Sequence, residues 1–349
     1  MKQVHELDRS NVNRIIEFDL TDKFIYIDKS KIGNTQKERL QWNVLAVARN
    51  SVELRKSLAT LSSNGFFLVG HDRSTGISKF QKLEDYESFK SNFESWRNCS
   101  IFKNGLFYSL EEPVGVGAKH SCARLLVLFS SIADYPMNAS VSRRAWFWNW
   151  LKCRNYLPQN TYILRIADIG ATLAAFYSNT NFDNQFEIKI QNLIAHIICE
   201  LDIPWENVIL YGSSKGGSGA LLHGILGGYQ TVSVDPIVSD EYYLFKAAAP
   251  DFHFVDGCFP EAKETKFIRL INEMQFSPFI NIITSRNSQQ YSYIRRICQP
   301  SKGMKFFTFD NASICCHADV SPKTIVFQTT LINSIFYNHS FESGRSFEF

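Results

Sequence analysis

The chain has 349 residues, 45% of them hydrophobic and 20% charged, the balance of a folded protein rather than a disordered tail. Thirty-seven Lys and Arg against 34 Asp and Glu leave a formal charge of only +3, too small and too scattered to demand nucleic acid as a partner. The 29 Phe are the unusual figure: that much ring surface has to go into a core, a pocket or an interface.

The opening stretch, MKQVHELDRSNVNRIIEFDL, has no apolar run of signal-peptide length. No segment reaches the roughly 18 apolar residues of a membrane span, so a cytoplasmic protein without a membrane span is expected. The eight cysteines (Cys99, Cys122, Cys153, Cys199, Cys258, Cys298, Cys315 and Cys316) form no CxxC pair and no metal spacing. They are expected to be free thiols, and no metal is expected.

Along the chain, residues 1–118 are charged and irregular. A helix is predicted over Ser51 to Leu61 and a strand over Gly65 to Val69. A hairpin follows over Ser100 to Ser109, with Asn104-Gly105 as its turn, and Glu112 to Ala118 reads as a linker. The texture then changes. Short apolar strands are predicted at Arg124 to Phe129, Tyr162 to Ile166, Val208 to Tyr211, Thr231 to Val234, Ile280 to Thr284 and Lys305 to Phe309. A helix over Phe186 to Leu201 is closed by Pro204, and a last helix runs from Thr324 to Phe336. Strands alternating with helices predict an α/β fold with a mostly parallel sheet covered by helices on both faces. The expected division is an N-terminal α+β extension, 1–118, and a catalytic domain of α/β-hydrolase type, 119–349.

The sharpest motif is Tyr211-Gly-Ser-Ser-Lys-Gly-Gly217, a G-x-S-x-G pattern centred on Ser214, with a strand leading in and a small-residue helix leading out. This is the signature of a nucleophile elbow, in which a strained serine sits at a strand-to-helix turn. Gly212 and Gly216 remove side chains that would collide across the turn, and Gly217 continues the small-residue run. The helix N-terminus aims free N–H groups beside the serine, so the Lys215 N–H is a candidate oxyanion donor. The second donor is expected from the backbone of Ser130 or Ser131, at the end of an earlier central strand. Trp146 to Trp150 reads equally as a pocket wall or as the core face of a helix.

The base should follow the last strand. His317 lies there, whereas His223 is placed up the elbow helix, His253 in an insertion and His339 near the C-terminus. The acid is ambiguous. Its usual place, after Ile280 to Thr284, holds Ser285-Arg-Asn-Ser-Gln-Gln290 and no carboxylate. Asp235, one strand earlier, is the favoured replacement, with Asn287 as the alternative in an orienting role. Asp310 and Asp319 read as solvated loop charges.

The elbow, the Leu128-Phe-Ser-Ser131 strand end, the late Cys316-His-Ala-Asp319 and Phe102-Lys-Asn-Gly-Leu-Phe-Tyr108 together resemble α/β-hydrolase-fold proteins of bacterial capsule loci. The closest resemblance is to the XcbB/CpsF-type capsular polysaccharide biosynthesis family. More remotely, the chain is similar to capsule O-acetyltransferases and to the O-acetyltransferase-like protein of accessory secretion systems. The resemblance implies acetyl transfer from acetyl-CoA to a sugar hydroxyl, with Ser214 as nucleophile and His317 as base. It implies a capsular polysaccharide or oligosaccharide acceptor and capsule-assembly proteins as partners. A carbohydrate esterase of the same constellation and a non-catalytic assembly scaffold are the alternatives.

Overall fold

All six residues from Val208 to Ser213 are buried, a state open to a strand only when both faces of its sheet are covered. The computed structural model describes residues 4–84, 86–93, 100–101, 105–114, 122–133, 138–246, 257–274, 280–299, 303–339 and 346–348. Thirteen strands fall into two sheets among these residues. The first contains β1 (Val4–Glu6), β2 (Phe24–Asp28), β3 (Phe66–Asp72) and β4 (Ile77–Lys82), in the order β1-β2-β4-β3.

The second sheet has nine strands. They are β5 (Ser100–Ile101), β6 (Phe107–Glu111), β7 (Arg124–Phe129), β8 (Thr161–Ile166), β9 (Val208–Ser213), β10 (Gln230–Val234), β11 (Ile280–Ser285), β12 (Met304–Phe309) and β13 (Ser346–Glu348). Their order is β13-β12-β11-β10-β9-β7-β8-β6-β5. From β8 through to β13 every neighbouring pair is parallel, and the β5–β6 hairpin adds antiparallel to the β8 edge. This is an α/β-hydrolase-type fold.

Alternate residues of the central strands serve opposite faces. Leu125, Val127, Phe129, Val208 and Leu210 pack with the helix Phe186–Glu200. Leu126, Leu128, Ile209 and Tyr211 face the long helix His317–Phe336. That helix starts well before the expected Thr324, and the chain stays helical through Pro322. The crossover from β8 on one side of β7 to β9 on the other creates a switch point between β7 and β9. In open α/β sheets, ligand sites form at the carboxyl ends of such strands.

The first sheet is covered by the helix Val52–Ser63, which Ser51 caps by accepting the Leu54 N–H and which buries Leu54, Leu58 and Leu61. Their cluster also takes in Ala139, Ala171, Leu173 and Cys258, so the N-terminal sheet shares a core with the rest of the chain. The hairpin β5–β6 belongs to the large sheet, on the far side of the expected 118/119 division. Of the expected linker only 112–114 is described, and of the Asn104-Gly105 turn only Gly105, at φ +83°. Part of the phenylalanine surplus goes into a cluster of Phe67, Phe89, Phe93 and Phe107 with Trp146. Several of these rings meet edge-on or tilted. Phe107 and Trp146 are thereby core residues.

One buried cation ties β3 to the segment after β8. The Arg144 guanidinium donates to the carbonyls of Leu68 in β3, Thr172 and Leu173, and burial lowers its pKa to about 10. Removing it leaves three carbonyls short of a donor. Arg144→Met is expected to destabilise the protein by about 3 kcal/mol, read as a lower midpoint in urea unfolding; an unchanged midpoint would show that solvent or neighbours replace the guanidinium.

Candidate active site

Ser214 lies between the end of β9 and the first residue of the elbow helix, Lys215–Gly227. Its backbone is at φ 57°, ψ −122°, a region costing a non-glycine residue about 1–3 kcal/mol. Two bonds hold it there: the Ser214 N–H donates to Val234 O (2.8 Å), and Ser214 O accepts the Ser218 N–H (3.0 Å). The glycines are required by contact. A Cβ on Gly212 would sit 2.0 Å from Gly216 O, one on Gly216 would sit 2.2 Å from Phe129 O, and one on Gly217 would sit 2.7 Å from Val234 O.

The hydroxyl of Ser214 is 2.7 Å from His317 Nε2. On the other side of the ring, His317 Nδ1 is 2.6 Å from Asp235 Oδ2. The structure therefore brings together Ser214, His317 and Asp235, from the ends of β9 and β10 and from the start of the last long helix. Asp235 is itself at φ 45°, with its N–H bonded to Ile283 O at 2.7 Å. Its side chain is 2% exposed and that of His317 17%.

A buried carboxylate needs donors, and Asp235 has two besides the imidazole. Thr284 Oγ1 donates to Oδ1 at 2.6 Å and Ser288 Oγ donates to Oδ2 at 2.5 Å. The next residue, Gln289, accepts the His317 N–H at 2.7 Å. The loop after β11 thus carries no acid but supports both the acid and the base. Asn287, the alternative partner for the ring, instead donates to Ile314 O at 3.0 Å and fastens the loop before His317. Asp310 pairs with Arg286, and Asp319 accepts the Cys315 N–H at 2.9 Å.

The two alternatives for the second oxyanion donor, Ser130 and Ser131, separate. The Ser130 N–H donates to the Tyr177 hydroxyl at 2.5 Å, so it is spent inside the protein. Ser131 lies beside the elbow, where its hydroxyl donates to Ser213 O at 2.8 Å. Lys215 is the first residue of the elbow helix, and N–H groups of a first turn have no acceptor within their helix. The Lys215 and Ser131 N–H groups are therefore the candidates.

His223 is fully buried, with its ring nitrogens facing Tyr177 O and the Gln191 amide, and burial lowers its pKa to about 4. It stays neutral and packs against Phe129. Trp146 to Trp150 follow a helix that ends at Ala145. Phe147 is bridged to Ser131, and Trp150 packs against Tyr211. His253 and Phe102 lie outside the described residues. Among the described residues, no group of three or more His, Cys, Asp or Glu side chains is placed to hold a metal ion, and no helix is long and apolar enough to cross a membrane.

No protein-family model matches the chain, and no curated protein matches it in sequence. Among solved structures, its fold is similar to that of the Glycosylation Associate Protein (Gap123) complex from Streptococcus agalactiae, at 16% identity and a TM-score of 0.51. That match covers 77% of this chain and 51% of the other, so the chain spans about half the length of that relative. Weaker likenesses are to the capsule O-acetyltransferase of Neisseria meningitidis serogroup A (16% identity, TM-score 0.47, 68% of this chain and 93% of that one) and to an S-formylglutathione hydrolase from Agrobacterium tumefaciens (11%, 0.43, 69% and 92%).

The glycine contacts give a direct test of the elbow. Gly212→Ala and Gly216→Ala should each destabilise the protein by about 2 kcal/mol or more in equilibrium unfolding. Wild-type stability in both would mean that the helix can retreat from the strands.

Proposed function

We propose that the chain is a serine-dependent acyltransferase that moves an acetyl group from acetyl-CoA to a sugar hydroxyl of a capsular polysaccharide or oligosaccharide. The observation that carries the reading is the unbroken Ser214–His317–Asp235 hydrogen-bond line, 2.7 Å and 2.6 Å long, on a strained elbow. The carbohydrate acceptor and acetyl-CoA rest on the motif resemblance to capsule-locus proteins. The naming of the matched streptococcal complex as glycosylation-associated agrees with such an acceptor.

In this reading His317 Nε2 takes the proton of Ser214 Oγ as that oxygen attacks the thioester carbonyl. The carbonyl oxygen becomes an oxyanion, which the Lys215 and Ser131 N–H groups stabilise. When the tetrahedral intermediate collapses, the C–S bond breaks and the CoA sulfur leaves with the proton from His317. The sugar hydroxyl then gives its proton to His317 and attacks the acyl carbon, and Ser214 is regenerated by the same proton in return. Asp235 stays ionised throughout, orients Nδ1–H and stabilises the imidazolium. Its contact with the ring supports this reading over a purely scaffolding role.

Ester hydrolysis is the second reading. The observation that favours it is the 17% exposure of the His317 side chain, which gives water a route to the base. Incubation with acetyl-CoA, with and without capsule oligosaccharide, separates the two: acetyl release that an acceptor does not change would count against transfer.

A fluorophosphonate probe is expected to label the wild type and not Ser214→Ala, and equal labelling of both would refute the nucleophile. His317→Ala should abolish turnover. Asp235→Asn, which keeps the shape and loses the charge, should lower kcat by about 10³–10⁴ with little change in KM; near-normal kcat would remove Asp235 from the mechanism.

A further inference from the structure

The residue after the nucleophile has a second end. Its N–H lies at the elbow, while its side chain runs into the protein interior. Lys215 Nζ is 2.7 Å from Asp168 Oδ2, with both side chains fully buried. It also stands over the ring of Tyr177, 4.8 Å from the centroid.

Asp168 is two residues past β8. Its carboxylate oxygens accept the N–H groups of Phe176 (3.0 Å) and Tyr177 (2.9 Å). These two residues are at φ 55° and 60°, left-handed values that aromatic residues adopt only when held. The carboxylate therefore folds the segment after β8 back on itself and sets the direction of Tyr177. The Tyr177 ring lies edge-on to Phe129, with centroids 4.7 Å apart, and a Cβ on Gly219 of the elbow helix would meet it at 2.4 Å. Its hydroxyl donates to Ile166 O at 3.0 Å and accepts the Ser130 N–H at 2.5 Å. An unbroken line of contacts thus runs from Lys215, on one side of the nucleophile, through Asp168 and Tyr177, to the loop that carries Ser131 on the other side.

We propose that Lys215 Nζ, Asp168 and Tyr177 are positioning residues that clamp the two halves of the oxyanion site, the elbow and the β7 loop, in register. This rests on the reading of Ser214 as the nucleophile. A fully buried ion pair is a poor device for stability, since apolar replacements of such pairs are often neutral or stabilising. A clamp explains what the charges do here. The ammonium fixes the carboxylate, and the carboxylate fixes two backbone N–H groups. The tyrosine they orient then takes up the Ser130 N–H and so fixes the backbone of the loop that carries Ser131. Rate rather than affinity is at stake, because oxyanion donors act on charge that develops only in the transition state.

The test uses the whole protein with p-nitrophenyl acetate as probe substrate and fluorophosphonate as probe of Ser214. Tyr177→Phe, which removes one oxygen, and Asp168→Asn are compared with the wild type, each with its circular dichroism spectrum as a check on folding. Each folded variant is expected to lose about 10- to 100-fold in kcat and in labelling rate, with KM within about two-fold. Lys215→Met combined with Asp168→Asn should be no slower than the worse single variant, as members of one unit are not additive. Tyr177→Phe with wild-type kcat, or with a lowered thermal midpoint as its sole effect, would overturn the clamp. A wild type that neither labels nor turns over would overturn the reading of Ser214 and this inference with it. A reactive wild type with unaffected variants would overturn this inference alone.

Discussion

The site depends on how closely the elbow helix approaches the strands it leaves. Gly212, Gly216 and Gly217 have no room for a Cβ against Gly216 O, Phe129 O and Val234 O, so the helix backbone lies directly on the ends of β7, β9 and β10. That closeness gives Ser214 its positive φ and sets the first helical N–H groups beside its hydroxyl. It also brings the end of β7 near enough for Ser131 to bond Ser213 O. The same contact lies at the switch point of the sheet, between β7 and β9.

Two buried carboxylates flank this contact, and they are satisfied in different ways. Asp235 is met by two hydroxyls and an imidazole, and of these the imidazole can change its charge. Asp168 is met by two backbone N–H groups and the Lys215 ammonium. One acid is wired to a proton carrier and the other to the backbone. A low-dielectric interior strengthens both sets of interactions, and the different partners direct the one toward proton transfer and the other toward shape.

The local parts of this arrangement were legible in the sequence. The elbow is a contiguous string with a strand before it and small residues after it, and His317 is picked out by following the last strand. The acid was harder to read, since which strand end supplies it depends on how the ends of β10 and β11 lie in space. Ser288 and Thr284 became visible only once that geometry was known. Tyr177 carried no signal at all. Its role follows from a left-handed pair of residues that a distant carboxylate holds, and its capture of the Ser130 N–H divides two donors that look equivalent in the chain. The N-terminal sheet was read as one strand because β1 and β2 are short and pair with strands more than 20 positions away, while β4, Ile-Ser-Lys-Phe-Gln-Lys, is mostly polar. The β5–β6 hairpin was readable as a hairpin, but its docking on β8 was not, since that edge is formed by residues some 50 positions later in the chain.

The position of Asp235 has a consequence for how the site is put together. Ser214 and Asp235 follow the two strands of one strand–helix–strand unit, β9, elbow helix and β10, so nucleophile and acid are set relative to each other by one short parallel connection. The base alone arrives from a distance, 82 residues beyond the acid. Everything inserted between β10 and β11, including the helix Lys263–Glu273, lies outside that unit. The chain can therefore lengthen, shorten or re-shape that insertion without altering the spacing of Ser214 from Asp235.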